Sequence, residues 1–264
     1  ITSLPLTLLS LFQFETNFIL RISGYPKLNI LRKFFWIKIS KKLKSITCPT
    51  VELRTKLINN KIFPSNKLFY LPDAIIDIGK FSKYLDKKIH DFEFPKNKKI
   101  ILSAGRLTKQ KNFSYLINEF TEFCKKNDQF ILVILGEGEE RKKLEKNIRE
   151  KKLDNRIFLL GHKNDIFTYM KKSELFVLSS LWEEPGFVIV EAALSNLYIV
   201  SSNCPNGPVE FLNYGKNGIL FNKNEKNALS SSLLKYIQIS EEKKFYDKCK
   251  LKKKSLKYTK FRHF

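Results

Sequence analysis

Residues 179–193 read SSLWEEPGFVIVEAA, and this stretch decides what the surrounding chain can form. It follows an apolar run at 175–178 that is typical of a buried strand. Pro185 and Gly186 then interrupt the chain, and the pattern predicts a helix beginning near Phe187. A helix that begins directly after a strand points its unpaired N–H groups and positive dipole end at that edge of the sheet. Open α/β sheets bind their ligands at this position.

The same stretch carries two carboxylates that we expect to face one region. Glu183 comes just before the turn, and Glu191 lies about two turns into the predicted helix. Free N–H groups suit a phosphate, and a carboxylate in such a crevice suits a ribose or sugar hydroxyl. The alternative is a surface loop with solvated glutamates, which is the usual environment of a Glu-Glu pair. The position at a strand end favours the binding interpretation.

Outward from this stretch, short apolar strands alternate with segments of helical spacing. This alternation indicates β-α-β units, and so an α/β fold with a doubly wound parallel sheet of the Rossmann type over residues 100–238. The predicted strands are at 100–104, 130–135, 157–160, 175–178, 198–201 and 218–221.

The remaining segments are less regular. Residues 1–78 are interpreted as a partial N-terminal α/β domain, and the lysine-rich residues 79–99 as a linker. Residues 239–264 are predicted to form a basic helix or tail. Within the first domain, residues 27–44 are predicted to form one basic helix with an apolar stripe, which either packs on its own sheet or lies on an anionic membrane surface.

The charge of the chain does not by itself identify a partner. Lys and Arg number 49 against 26 Asp and Glu, a net charge of +23. The lysines are scattered through every segment, with no zinc-finger spacing and no RNA-recognition aromatic motif, so nucleic acid is unlikely as a partner. The four cysteines are far apart, which is typical of free thiols in a reducing cytoplasm. We expect a cytoplasmic protein, either free in the cytoplasm or at the inner face of the membrane.

Residues that follow the other predicted strands extend the candidate site. Arg106 and Lys111 offer a planar fork and a mobile charge to a diphosphate, although a loop lysine is the background expectation in this chain. Glycines after the strands permit close backbone approach to a ligand, or are ordinary turn residues. His162 is interpreted as a loop residue rather than a catalytic base. The further candidates after the strands are Gly105, Gly136, Gly138, Gly161, Asn206, Gly207 and Glu210.

Taken together and in this order, these segments resemble the C-terminal, sugar-donor half of a retaining glycosyltransferase of family 4, which has the GT-B fold of two Rossmann-like domains. The resemblance covers residues 100–222, and the sequences CPT at 48–50 and LPDA at 71–74 resemble the end of that family's N-terminal domain. The matching elements are GRL at 105–107 with Lys111, GEG at 136–138, FLLG at 158–161, Glu183 and Glu191 separated by seven residues, and GPVE at 207–210.

The resemblance implies transfer of a sugar from a UDP- or GDP-sugar to a glycan or lipid-linked acceptor, with retention of anomeric configuration. It further implies a hexosyltransferase in cell-surface polysaccharide synthesis, with no metal and no other cofactor. The alternative is a nucleotide- or nucleic-acid-binding α/β protein without catalytic activity.

The resemblance also assigns roles by position. Arg106 and Lys111 would bind the diphosphate and stabilise the leaving group, and Glu183 would face the transferred sugar. Glu191 would bind the ribose, and Gly161 would border the base. The N–H groups of Phe187 and Val188, after Gly186, would meet phosphate oxygens. Glu184 is kept as a neighbouring candidate in case the register at this turn differs by one.

One departure from the family concerns the front of the chain. The family's N-terminal domain supplies a glycine-rich first loop and contacts to the acceptor, but residues 1–78 have no such loop and the sequence begins at Ile1. We therefore expect a shortened N-terminal domain. Residues 1–264 are expected to bind the sugar nucleotide but to transfer the sugar poorly, because transfer requires an opposing domain that positions the acceptor.

Overall fold

A computed structural model describes residues 11–12, 15–26, 29–85, 87–223 and 225–260. The chain divides into two compact units between Asp73 and Ala74. This boundary differs from the predicted one at residue 78. Each unit is described separately below.

The first unit is built around a small parallel sheet. Its strands are β1 (Phe18–Arg21), β2 (Leu43–Cys48) and β3 (Leu68–Tyr70), in the spatial order β1-β2-β3. Two helices, α1 (Ile30–Ser40) and α2 (Val51–Asn59), connect the strands, and a 3-10 turn at Ser65–Lys67 precedes β3. The Thr50 side chain accepts a hydrogen bond from the N–H of Leu53 at 3.2 Å, which explains why α2 begins directly after Thr50.

Helix α1 is shorter than the predicted basic helix at 27–44. It begins after Asn29, whose side chain accepts from the N–H of Arg32 at 2.8 Å, and it ends at Ser40. Leu43 and Lys44 instead enter strand β2, where Leu43 is buried. The prediction was wrong here because pairing with β1 rewards alternation of buried and exposed residues, which overrides helical spacing. Residues 27 and 28 lie outside the described residues.

The second unit contains a six-stranded sheet in which all strands are parallel. The strands are β4 (Lys99–Ala104), β5 (Phe130–Leu135), β6 (Ile157–Leu159), β7 (Leu175–Leu178), β8 (Tyr198–Ser202) and β9 (Ile219–Phe221). Their order in the sheet is β6-β5-β4-β7-β8-β9. The first strand of the unit is therefore central, and the direction of winding reverses between β4 and β7. The predicted doubly wound sheet is confirmed.

Helices cover both faces of this sheet. They are α4 (Phe113–Cys124), α5 (Arg141–Glu150), α6 (Ile166–Lys172), α7 (Phe187–Leu194), α8 (Pro208–Phe211) and α9 (Ala228–Gln238). Every residue of β5 is buried, as expected for a parallel strand that is covered on both sides. One buried cluster lies between the sheet and α6 and α7, and the other lies between the sheet and α4, α5 and α9.

The segment predicted as a linker, residues 79–99, packs on this second unit. It contains most of helix α3 (Ile78–Leu85), and the Phe81 and Phe167 rings meet edge to face with centroids 4.9 Å apart. Ile89 and Phe94 pack against the buried cluster on the α6 and α7 side. The linker was predicted from the high lysine content of the segment. Contacts of a few apolar side chains instead determine where the segment lies.

The basic residues after 239 are also part of the second unit. Helix α10 (Glu241–Ser255) follows its N-cap Ser240, packs against α7 and buries Leu251. Beyond the 3-10 turn at Leu256–Tyr258, the N–H of Ile76 donates to the carbonyl of Tyr258 at 3.0 Å, and the N–H of Lys260 donates to the carbonyl of Ile76 at 2.9 Å. Through residue 260 this segment is thus a packed helix and turn. Residues 261–264 lie outside the described part of the chain.

No helix within the described residues combines the length and the apolar character that crossing a membrane requires.

Candidate active site

A cavity of about 620 Å³ opens at the carboxyl ends of the central strands of the second unit. It lies where the winding of the sheet reverses, between β4 and β7, which is the expected position of a ligand in this fold. The cavity is lined by Ala104, Gly105, Arg106, Lys111, Leu135, Gly136, Glu137, His162, Lys163, Asn164, Ile166, Phe187, Val188 and Glu191.

The amino end of helix α7 forms one wall of this cavity. Gly186 precedes the helix with a φ of +78°, a conformation that a residue with a side chain rarely adopts. Phe187 and Val188, the first two residues of the helix, line the cavity. Because the first N–H groups of a helix have no intrahelical partner, this end offers hydrogen-bond donors and a positive partial charge to an anion.

The loops after β4 and β5 approach each other very closely beside the cavity. A Cβ atom on Gly136 would lie 1.9 Å from the carbonyl oxygen of Gly105, so that only glycine fits. The N–H of Gly136 donates to the carbonyl of Gly161 at 2.8 Å, and the N–H of Gly105 donates to that of Leu135 at 3.0 Å. These bonds fix three predicted glycines in one backbone layer under the cavity.

Lys111 and Glu183 form a buried ion pair at the edge of the cavity. Their Nζ and Oε1 atoms are 2.6 Å apart, and only 15% and 5% of the two side chains are exposed. The hydroxyl of Ser180 donates to the same Glu183 oxygen, and that of Ser179 donates to the Lys111 carbonyl at 2.7 Å. The two consecutive serines at the end of β7 thus position both members of the pair.

This pair corrects one expectation about Lys111. The background expectation from the sequence was an ordinary loop lysine, whereas the Lys111 ammonium neutralises a buried carboxylate. Removing one member of such a pair leaves an uncompensated buried charge, which is strongly destabilising.

Glu191 lies in the cavity wall, and burial raises its pKa to about 7. The physical cause is desolvation, which disfavours the charged form of a carboxyl group. A carboxyl group in this position accepts hydrogen bonds from sugar hydroxyls when it is ionised.

The other predicted residues divide into two groups. Arg106 is exposed at the cavity, whereas Glu184 is exposed on the loop and does not line it. Gly207 lies against the carbonyl of Pro185, and the Glu210 carbonyl accepts from Lys254. The predicted residues outside the cavity lining are Gly138, Gly161, Glu183, Glu184, Gly186, Asn206, Gly207 and Glu210.

Two lining residues that were not predicted, Ala104 and Leu135, are the last residues of β4 and β5. Four more unpredicted lining residues lie beyond the strand ends: Glu137, Lys163, Asn164 and Ile166. His162, interpreted as a loop residue, also lines the cavity and contacts Asn164 at 3.2 Å. The signal for them was position, since Glu137 follows β5 by two residues and the others follow β6. Their lysine and glutamate types carried no information in this lysine-rich chain.

Among the residues that the structure describes, no three His, Cys, Asp or Glu side chains are grouped so as to hold a metal ion. The expectation of a metal-independent reaction stays a prediction.

Comparison with known proteins agrees with this architecture. Residues 86–254 match the family of glycosyl transferases group 1, so the chain belongs to that family. An uncharacterised glycosyltransferase of Methanocaldococcus jannaschii is 35% identical over 161 residues, which cover 56% of this chain and 40% of that protein. The predicted family resemblance is confirmed.

A second relative is matched over nearly the whole chain. It is the N-acetylgalactosamine-N,N'-diacetylbacillosaminyl-diphospho-undecaprenol 4-alpha-N-acetylgalactosaminyltransferase of Campylobacter jejuni, at 27% identity over 94% of this chain and 71% of the relative. Among solved structures, Anabaena HepE in complex with UDP superposes with a TM-score of 0.74 at 18% identity, covering 92% of this chain and 68% of that one. The fold is that of the GT-B glycosyltransferases.

Proposed function

We propose that the second unit is the sugar-nucleotide-binding half of a retaining glycosyltransferase that uses a UDP- or GDP-sugar. The acceptor is a glycan or a lipid-linked sugar, and the product belongs to a cell-surface polysaccharide or glycolipid. The observation that carries this proposal is the cavity itself, where the amino end of α7, Arg106 and Lys111 offer positive charge and the half-buried Glu191 lines the same cavity.

In this proposal, different groups along the cavity contact different parts of the sugar nucleotide. A diphosphate against the amino end of α7 accepts backbone N–H groups and lies within reach of Arg106, which stabilises the charge that develops on the leaving group. Lys111 is already held by Glu183. A bound diphosphate therefore shares the Lys111 ammonium with the Glu183 carboxylate behind it. Arg106 and Lys111 would thereby stabilise the phosphate that leaves when its bond to the sugar breaks.

Two relatives support the substrate class. The Campylobacter relative is named for an acceptor carried on undecaprenyl diphosphate, and Anabaena HepE has been solved with UDP. This chain spans 40% of the length of the Methanocaldococcus relative and 71% of the Campylobacter one. Metal independence and poor transfer by residues 1–264 stay predictions.

Calorimetric titration with UDP-, GDP- and ADP-sugars tests the proposal. We expect saturable binding of one class, and Arg106→Ala weakens it by about tenfold or more because a charge-assisted phosphate contact is lost. Lys109→Ala is the matched control, since Lys109 is an exposed neighbour that does not line the cavity.

The alternative of a nucleic-acid-binding protein is an outcome of the same titration. Binding of any polyanion with a steep dependence on salt, and with no preference for a sugar nucleotide, would replace the enzyme by that alternative.

We also propose that α1 places the protein on an anionic membrane surface, at its cytoplasmic face, where a lipid-linked acceptor is found. Ile30, Leu31 and Phe34 are 89%, 71% and 65% exposed, and Lys33 and Lys38 lie on the same helix. An amphipathic helix with exposed apolar and basic residues binds the interface of acidic bilayers.

Co-sedimentation with liposomes tests this placement. The triple variant Ile30→Ser, Leu31→Ser, Phe34→Ser is expected to lose binding to acidic liposomes while neutral liposomes bind neither protein. Phe245→Ser, which removes an exposed ring in the second unit, is the control. If the triple variant sediments like the unmodified protein, α1 is not the membrane contact.

A further inference from the structure

The cavity has a second end, formed by the loop after β6. His162, Lys163 and Asn164 line it. In the sheet order β6-β5-β4-β7, strand β6 is two strands away from β4, whose loop carries Arg106 and Lys111. Neighbouring strands are about 4.8 Å apart, which separates the two loops by about 10 Å. A ligand that places its phosphates at the β4 loop and α7 therefore brings its nucleoside toward the β6 loop.

Lys163 is held rigidly at this second end. Its ammonium is paired with Asp91, whose other carboxylate oxygen accepts from the hydroxyl of Tyr169 at 2.6 Å. Only 17% of the Lys163 side chain is exposed, and its Nζ lies 5.9 Å from the centroid of the Tyr169 ring. The hydrogen bonds from Lys163 and Tyr169 lower the pKa of Asp91 below its ordinary value.

The same type of ion pair occurs at both ends of the cavity. Each carries a mostly buried lysine that is neutralised by a carboxylate: Lys111 by Glu183, and Lys163 by Asp91. Holding a second lysine of the cavity lining in a mostly buried ion pair costs side-chain entropy and partial desolvation. If the ion pair served only to hold Asp91 on the second unit, its lysine would not need to line the cavity.

An ammonium group has three hydrogen-bond donors and no acceptor. Lys163 lines the cavity, and with one donor occupied by Asp91 its ammonium keeps two donors for acceptor atoms of a ligand. Uracil and guanine present keto oxygens, whereas adenine presents an amino donor at the corresponding position. We propose that Lys163, fixed by Asp91 and Tyr169, recognises the base of the sugar nucleotide and selects a keto-bearing base over adenine. This inference rests on the proposed function and adds its base specificity.

Calorimetry on the full chain with UDP, GDP, ADP and inorganic pyrophosphate tests it. The unmodified protein is expected to bind UDP or GDP at least tenfold more tightly than ADP. Lys163→Met abolishes this preference and leaves the affinity for pyrophosphate unchanged. Lys163→Arg, which keeps the hydrogen-bond donors, retains the preference. Lys172→Met removes the same charge from an exposed position outside the cavity and is expected to change neither affinity.

Three outcomes overturn the inference, and one separates it from the proposed function. Equal loss of pyrophosphate and UDP binding in Lys163→Met makes Lys163 a phosphate contact. If Lys163→Met lowers the melting temperature but keeps the base preference, the ion pair with Asp91 stabilises the fold and does not select the base. ADP bound as tightly as UDP and GDP by the unmodified protein removes the selectivity altogether. If no nucleoside diphosphate binds the unmodified protein, it is the proposed function that fails.

Discussion

Replacing Glu191 by Gln should stabilise the second unit at high pH. Burial raises the pKa of Glu191 from an ordinary value of 4.5 to about 7. Between these values the folded protein retains a proton that the unfolded chain has lost, so the free energy of unfolding falls as the pH rises. A difference of about 2.5 in pKa, at 1.36 kcal/mol each, corresponds to about 3 kcal/mol at pH 8. Gln has no charge to desolvate and escapes this loss.

Urea denaturation at pH 5 and pH 8 measures the effect. Trp182 lies in the second unit and Trp36 in the first, so a Trp36→Phe background reports on the second unit alone. Glu191→Gln is expected to exceed its parent by about 3 kcal/mol at pH 8 and by less than about 1 kcal/mol at pH 5. Glu150→Gln, on the exposed face of α5, is the control. A gain that is equal at both pH values would refute the burial argument.

The same substitution is expected to weaken ligand binding. An ionised Glu191 accepts hydrogen bonds from ribose hydroxyls, so the affinity of the unmodified protein for UDP should rise as the pH increases through 7. In Glu191→Gln the affinity should be lower at pH 8, by about 1.5–3 kcal/mol, and independent of pH. Calorimetric titration across pH 6–8.5 tests this. Unchanged affinity at pH 8 would place the nucleoside elsewhere.

Three further predictions concern stability. Lys111→Met should lower the free energy of unfolding of the second unit by about 3–5 kcal/mol, and adding Glu183→Met should recover part of that loss, as a double-mutant cycle in urea would show. Gly136→Ala should destabilise by more than about 3 kcal/mol, because its methyl group would meet a backbone carbonyl; a melting temperature within two degrees or so of the parent would contradict this. Phe81→Ala should lower the free energy of unfolding of the second unit by about 1–2 kcal/mol and leave the unfolding transition of the first unit unchanged. A shift in the transition of the first unit would assign α3 to that unit.

Much of the second unit was predictable because it follows local rules. Alternating apolar strands and helices specify a parallel sheet, and the sheet specifies the edge at which ligands bind. Gly105, Arg106, Gly136, Phe187, Val188 and Glu191 were therefore predicted to face a common region, and the structure brings them to one cavity.

The contacts that were not predicted join residues far apart in sequence. Lys111 and Glu183 are 72 residues apart, as are Lys163 and Asp91. In a chain with 49 basic residues, no local pattern distinguishes a lysine that is buried against a carboxylate from a solvated one. The same composition concealed the apolar residues of 79–99. Helix α1 was predicted too long because strand pairing, rather than helical spacing, determines the position of Leu43.

The pairing of Ile76 with residues 258–260 has a consequence for biosynthesis. Within the described part of the chain, the N–H and carbonyl groups of this residue near the start of the second unit pair with residues 258 and 260. Helix α10, which packs against α7, is also made late. A ribosome adding about 5–20 residues per second therefore completes the sheet well before the unit can close. During that interval the exposed rear of α7 is the surface that a chaperone would cover.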